Sequence, residues 1–190
     1  MAGQQEVVIG DSFDIAIHLH NKHNAQLFST EEAHWEQNGR AFNASVDQLF
    51  SQHGAVLAGY WMPFDPTTAE ADKATMMARF PGDMKWEDIK IPVGSDVRMK
   101  MLGQFEEALE GKLAPYFTGG AGAGPFMDGR EEPMYADFVV GGWLQFMRGC
   151  LPEWEMLRNE WSGGRWGRLM DALEEWAVVD GREGIHPAKS

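Results

Sequence analysis

Pro133-Met134-Tyr135-Ala136-Asp137-Phe138-Val139-Val140-Gly141-Gly142-Trp143-Leu144-Gln145-Phe146-Met147 is the stretch on which the fold turns. After Asp137 only Gln145 and Arg148 are strongly polar. A helix that is apolar nearly all round belongs at the centre of a domain, with other helices packed about it. Gly141 and Gly142 cost helix propensity, so they predict a neighbouring helix at close approach. The run is too short and too interrupted to cross a bilayer. It predicts a central buried helix, with Asp137 positioned to accept backbone N–H bonds at its start.

Outward from that helix, apolar spacing and caps predict more helix on both sides. Pro152 opens one that runs to about Trp161 and is closed by Gly163-Gly164. Trp166, Leu169, Met170, Leu173 and Trp176 mark a last amphipathic helix. Upstream, Ser95 caps a helix carrying Val97, Met101, Leu102, Phe105, Leu109, Leu113 and Tyr116 on one face. Ser29 and Glu32 form a capping box, with Phe28 as its hydrophobic staple. The helix they open continues to about Trp61, before Pro63. Trp35, Phe42, Val46, Leu49, Phe50, His53, Leu57 and Tyr60 recur along it at helical spacing, and Gly39, Gly54 and Gly59 predict a bend or a close contact. Thr67 to Phe80 and Lys85 to Asp88 are weaker helical candidates. Residues 5–10 are the one convincing strand, after which Asp11-Ser12 begin a short helix with Ile15, Ala16 and Leu19 inward.

A chain of 190 residues holds one sizeable domain or two small ones. Its 29 acidic against 16 basic residues, net charge −13, argue against nucleic acid and anionic lipid as partners. One cysteine builds no disulfide framework, and the polar N-terminus lacks a signal-peptide layout, so a cytoplasmic protein is expected. Eight Trp, eleven Phe and twelve Met supply either an aromatic core or a cleft for an apolar ligand.

The motifs that could carry chemistry are few. The loop from Thr118 to Gly124 is glycine-rich, but no Gly-Lys-Ser/Thr follows it, so it is not a nucleotide phosphate loop. Cys150 ends the apolar helix with only Arg148 as a basic neighbour, which reads as packing rather than as a nucleophile. His18, His20 and His23 crowd one segment without a carboxylate to complete a metal site. His53 lies on the apolar stripe among Phe50, Leu57 and Tyr60.

Tyr135-Ala136-Asp137-Phe138 followed by an apolar helix resembles the core helix of the glutathione S-transferase C-terminal domain. In that family the Asp pairs with a Ser or Thr three residues earlier, where this chain has Met134. Val7-Val8-Ile9-Gly10-Asp11-Ser12-Phe13-Asp14-Ile15-Ala16 resembles a second family segment, the last strand and third helix of a thioredoxin-like domain. There an acid–Ser pair holds the γ-glutamyl end of glutathione. The chemistry suits the residues. A helix N-terminus and the Ser12 hydroxyl offer donors to a carboxylate, and Asp11 can pair with an ammonium. Residues 79–117, 125–144 and 163–168 look most like fungal members.

The resemblance implies a mostly α protein. Its helical bundle over residues 26–180 would follow a remnant, one strand and one helix over 1–25, of the thioredoxin-like domain, and a loose tail would occupy 181–190. It implies glutathione as cofactor with Asp11 and Ser12 as its ligands, and an apolar substrate pocket lined by Phe42, Phe50, His53 and Tyr60. It also implies a homodimer. The part of that domain that stabilises the glutathione thiolate in the family has no counterpart in the sequence, so no catalytic residue is assigned. The expected activity is conjugation of an apolar electrophile or trans/cis isomerisation of a conjugated alkene, as in fungal secondary metabolism of the pseurotin type. The alternative is a non-catalytic binding module or subunit.

Overall fold

Residues 8–23, 25–29, 34–80, 82–118 and 123–177 are described by the computed structural model, and every regular element among them is helical. The α-helices are α1 (Ser12–His23), α2 (Trp35–Leu49), α3 (Ala55–Ala58), α4 (Ala69–Met77), α5 (Asp96–Lys112), α6 (Tyr135–Cys150), α7 (Trp154–Asn159) and α8 (Arg165–Leu173). A π-helical turn, Phe50–Gly54, joins α2 to α3, and a 3-10 turn, Gly59–Trp61, ends that long element.

α6 is the central helix. Val140, Leu144 and Met147 are fully buried against Val46 and Leu49 of α2, Leu102, Phe105 and Leu109 of α5, Leu157 of α7, and Trp166 and Leu169 of α8. Each large side chain removed from water in this way contributes about 1.5–3 kcal/mol. Aromatic geometry adds direction to the packing. Phe50 stacks on Trp143 at 5.3 Å between centroids, and Phe105 stands edge-on to Phe50 at 5.6 Å and to Trp161 at 5.4 Å.

The two glycines of α6 have different surroundings. A Cβ on Gly141 would lie 2.4 Å from Cδ1 of Leu173, so the residue after which α8 ends sets the need for glycine there. A Cβ on Gly142 would meet nothing within 4 Å, contrary to the expected close approach. α6 is thus not enclosed on every side: Gly142, Gln145 and Gly149 are exposed.

Asp137 opens α6 from a wholly buried position, accepting from the backbone N–H of Met127 and of Met134, each at 2.9 Å. One carboxylate thereby ties the 127–134 loop to the helix start, while the Asp137 N–H, which a Ser or Thr hydroxyl at 134 would accept, donates to the Met134 carbonyl at 3.0 Å. Ser95 caps α5 as expected, its Oγ accepting from the Arg98 N–H at 3.3 Å.

Several expectations are corrected. Val97 is 64% exposed, and Arg98 takes the inward place beside it, fully buried. The Arg98 guanidinium donates through Nε and Nη2 to Glu153 (2.7 and 2.6 Å) and through Nη1 to the carbonyls of Leu57 (3.1 Å) and Ile91 (3.2 Å). Ile15 and Leu19 face outward, while Phe13 and Ala16 bury α1. Tyr116 and Trp176 are exposed rather than inward. Residues 8–10 form no strand, and residues 5–7 of the expected strand lie outside the described residues. So do Thr30 to Ala33, with most of the expected capping box, and the expected tail.

Candidate functional site

Asp11 starts α1. Its Oδ1 accepts from the N–H of Phe13 at 2.9 Å and of Asp14 at 3.3 Å, which satisfies two of the donors a helix start leaves over. Its Oδ2 accepts no hydrogen bond among the described residues. Phe13 then turns inward against Phe28 and Tyr135, with centroids 5.5 and 5.3 Å away. Arg40 of α2 pairs with Asp14 and covers the Phe13 ring at 4.6 Å, fixing α1 on α2.

Ser12, exposed at the first turn of α1, lines a cavity of about 440 Å³ between α1, α2 and α6. One wall is polar and internally connected. The Tyr135 hydroxyl donates to Asn43 Oδ1 at 3.0 Å, Asn43 Nδ2 donates to Asp47 Oδ2 at 2.9 Å, and Trp143 Nε1 donates to Asp47 Oδ1 at 2.8 Å. The other wall is apolar: Phe138, Val139 and Phe146. Burial pushes the Tyr135 phenol above its ordinary value, and the Ser12 hydroxyl opposes that only in part. At neutral pH Tyr135 is therefore a protonated donor at the cavity edge.

Tyr135 also lines a second cleft, of about 510 Å³, whose walls include Phe28, Trp35, Phe42 and Tyr116, with Lys112 and Arg130 among its charged residues. The structure thus separates the four residues expected to line one pocket. Phe42 lines this cleft, edge-on to Tyr116 at 5.4 Å. Phe50 is sealed in the core, with Trp143 stacked on its ring and Phe105 edge-on to it. His53 lies parallel to Phe105 at 6.4 Å, and Tyr60 stacks on Trp86 at 5.9 Å beneath Lys90. The π-turn at Phe50–Gly54 interrupts the regular spacing between Phe50 and Tyr60, whereas Phe42 and Phe50 are joined by regular helix.

Asn43 and Asp47 were not singled out in the sequence, and Tyr135 and Trp143 entered there as parts of the central-helix stretch rather than as site residues. Their one local signal is that Asn43 and Asp47, four apart, share a face of α2. Cys150 is buried, and burial raises its thiol, which suits packing. His18 and His23 approach each other at 6.0 Å, yet no three His, Cys, Asp or Glu side chains gather to hold a metal among the described residues. No helix among those residues is long and apolar enough to cross a membrane.

A model of the glutathione S-transferase C-terminal domain matches residues 41–176. The chain belongs to the glutathione S-transferase family. Its fold agrees with a solved structure, the glutathione S-transferase CsGST63524 of Ceriporiopsis subvermispora in complex with glutathione, at a TM-score of 0.72 and 20% sequence identity. That likeness covers 88% of this chain and 66% of the other, so the chain spans just under two thirds of the similar transferase. The comparison with curated proteins finds no match. In this glutathione S-transferase domain the matched region holds α3 to α8 and most of α2, while Asp11 and Ser12 precede it.

Proposed function

We propose that this chain is a glutathione-dependent enzyme that acts on an apolar electrophile or a conjugated alkene. The observation that carries the reading is Ser12, which stands at the N-terminus of the twelve-residue α1 and opens onto a cavity with one polar and one apolar wall. The residues fit the γ-glutamyl end of glutathione, which carries an ammonium and a carboxylate side by side. Asp11 Oδ2, left over from the helix cap, suits the ammonium. The Ser12 hydroxyl and the positive end of α1 suit the carboxylate. The similar fungal transferase is described in complex with glutathione, which supports the same ligand here.

When bound, glutathione supplies a thiolate that either displaces a leaving group from carbon, or adds to an alkene and is expelled after rotation about the new single bond. The protein's part is to hold both reactants at contact distance and exclude water around them. Phe138, Val139 and Phe146 offer apolar surface beside Ser12, and Phe42 offers it in the second cleft. Tyr135 places its hydroxyl at the border of the two, with its proton engaged by Asn43 and its oxygen lone pairs as acceptors. The likeness of residues 79–117 and 125–144 to fungal members favours a dedicated step of secondary metabolism, and the family favours a homodimer in the cytoplasm.

Calorimetric titration with reduced glutathione tests the reading. Asp11→Asn is the informative variant, because Asn caps helices as well as Asp does and removes only the charge. It should weaken binding by about tenfold or more with an unchanged melting temperature. Wild-type affinity in that variant overturns the site. Binding without turnover of a generic electrophile or a conjugated polyene would instead make the chain a non-catalytic binding module, a reading favoured by the capping role that Asp11 already fills.

A further inference from the structure

The cavity at Ser12 has a neighbour across α6. A second cavity, of about 250 Å³, lies between α6, the end of α8 and the 3-10 turn Glu174–Trp176. Gly141, Met170, Leu173 and Trp176 give it apolar walls, while Gln145 and the Arg148–Glu174 ion pair, at 3.4 Å, supply polar groups. It shares Phe138 and Gly142, and no other residue, with the cavity at Ser12. We propose that this cavity is a substrate subsite and that the substrate is an extended apolar chain lying across Gly142, a placement that rests on glutathione occupying the Ser12 cavity.

A site for one drug-sized ligand encloses about 300–1,000 Å³. The Ser12 cavity, about 440 Å³, is room for one such ligand, whereas attack of a thiolate on carbon brings two reactants together. The cavity beside α8 is too small for a separate ligand of that size, and it opens where the second reactant is needed. Gly142 makes the opening. Glycine inside a helix costs propensity, and here packing does not demand it, because a Cβ would meet nothing within 4 Å. Only backbone therefore separates the two cavities at this point, and a chain can cross α6 at close approach.

The cleft at Phe42 is joined to the Ser12 cavity differently. Those two share only Tyr135, which is buried and packed edge-on to Phe13 at 5.3 Å and tilted against Phe28 at 5.1 Å. A buried ring at the boundary is a partition, not a passage. Lys112, Asp128 and Arg130 also bring charge to that cleft, which suits an apolar chain less well. The residues of α6 that line the cavity beside α8 run from Phe138 to Arg148, a rise of about 15 Å at ~1.5 Å per residue. Phe138 stands edge-on to Trp176 at 6.1 Å near the start of that run, and the Arg148–Glu174 pair closes its end. A compact electrophile would leave most of that length unfilled, whereas an extended chain follows it.

The test is calorimetric titration of the full chain with glutathione and its S-methyl, S-butyl, S-hexyl and S-decyl derivatives, whose alkyl chains leave from the reacting sulfur. Affinity should rise through the decyl derivative, by up to about fourfold per added methylene. The readout is the ratio of decyl to methyl affinity, from which any common effect on the tripeptide cancels. Gly142→Leu puts a good helix former into open space, so it should keep its melting temperature while lowering the ratio about tenfold or more. Trp176→Ala, at an exposed position that lines only the cavity beside α8, should lower the ratio as well. A ratio unchanged in Gly142→Leu overturns the subsite, and one that falls in Phe42→Ala instead moves the chain to the other cleft. Binding of the methyl derivative with no gain from longer chains overturns the subsite and leaves the glutathione reading standing. No binding by any of the five compounds overturns both. Sedimentation of the same samples covers the rival occupant: a dimer that S-decylglutathione dissociates would give this face to a second copy and overturn the subsite.

Discussion

Arg98 and Glu153, 55 positions apart in sequence, meet in a two-pronged ion pair, Nε to Oε1 at 2.7 Å and Nη2 to Oε2 at 2.6 Å. The arginine side chain is 1% exposed and the glutamate 13%, so water screens the pair little. With the carbonyls of Leu57 and Ile91 also bonded to Arg98, four parts of the chain converge on one guanidinium: α3, the segment before α5, α5 itself and the entry to α7. Glu153→Ala leaves that charge buried without its partner and should cost about 3–5 kcal/mol in urea unfolding. The pair Arg98→Met with Glu153→Leu should recover much of the loss, since apolar replacement removes both desolvation costs. A Glu153→Ala cost near zero would contradict the convergence.

Gly141 and Gly142 make a matched experiment on neighbouring positions. Gly142→Ala adds a methyl to open space and should stabilise the protein by about 0.5–1 kcal/mol through helix propensity. Gly141→Ala drives a methyl into Leu173 and should destabilise by about 1–3 kcal/mol. Leu173→Ala in the Gly141→Ala background should relieve the clash. Equal effects at the two positions would rule out the close approach of the end of α8 to α6.

Asp137 answers for two buried amides. Burial pushes its carboxyl up, and the amides of Met134 and Met127 pull it partly back. Asp137→Ala removes the shared acceptor and should cost about 2–4 kcal/mol. Hydrogen exchange should accelerate at Met127 and Met134 before it does in the rest of α6, and unchanged exchange there would contradict the shared role.

The alkaline side of the stability profile should be set by Tyr135 and Cys150, both of which burial raises above their ordinary values. A raised folded value means that the folded chain keeps its proton to higher pH than the unfolded chain. The resulting stability is full below the unfolded values, ~8.5 for a thiol and ~10 for a phenol, and is lost as pH rises through the folded ones. Urea midpoints should therefore hold steady at neutral pH and decline above the thiol value. Cys150→Ala should remove the earlier part of the decline, and an unchanged decline in that variant would clear the thiol.

Local pattern carried much of this fold into the sequence. The apolar run after Asp137, the Ser95 cap, and the spacing of Trp166, Leu169 and Met170 are properties of single helices, and they appear as expected. Arg98 was not legible, because no rule of spacing turns an arginine inward; its partner lies 55 residues away. The same holds for the wall at Ser12, where Tyr135 reaches Asn43 across 92 positions and Trp143 reaches Asp47 across 96. Asp11 and Ser12 were proposed as ligands through the family motif, whereas the cavity beside Ser12 was not legible. Phe50 and His53 were assigned to a pocket through the family resemblance, which carries no information on the π-turn that holds both of them.

That turn, Phe50–Gly54, is a place in the long element where a residue can be lost. A π-turn holds one residue more than the α-helical turn it replaces, so the extra residue is taken up inside the turn and the helix beyond keeps its phase. Removing Ser51 or Gln52, both exposed, would restore regular helix and leave Leu57 and Ala58 in the core, with the Leu57 carbonyl still offered to Arg98. The same deletion inside regular helix would turn everything downstream by about 100°. The segment therefore tolerates a change of residue count that the regular helices do not, and alignments of this family should show one-residue gaps at 51 or 52 rather than within α5 or α6.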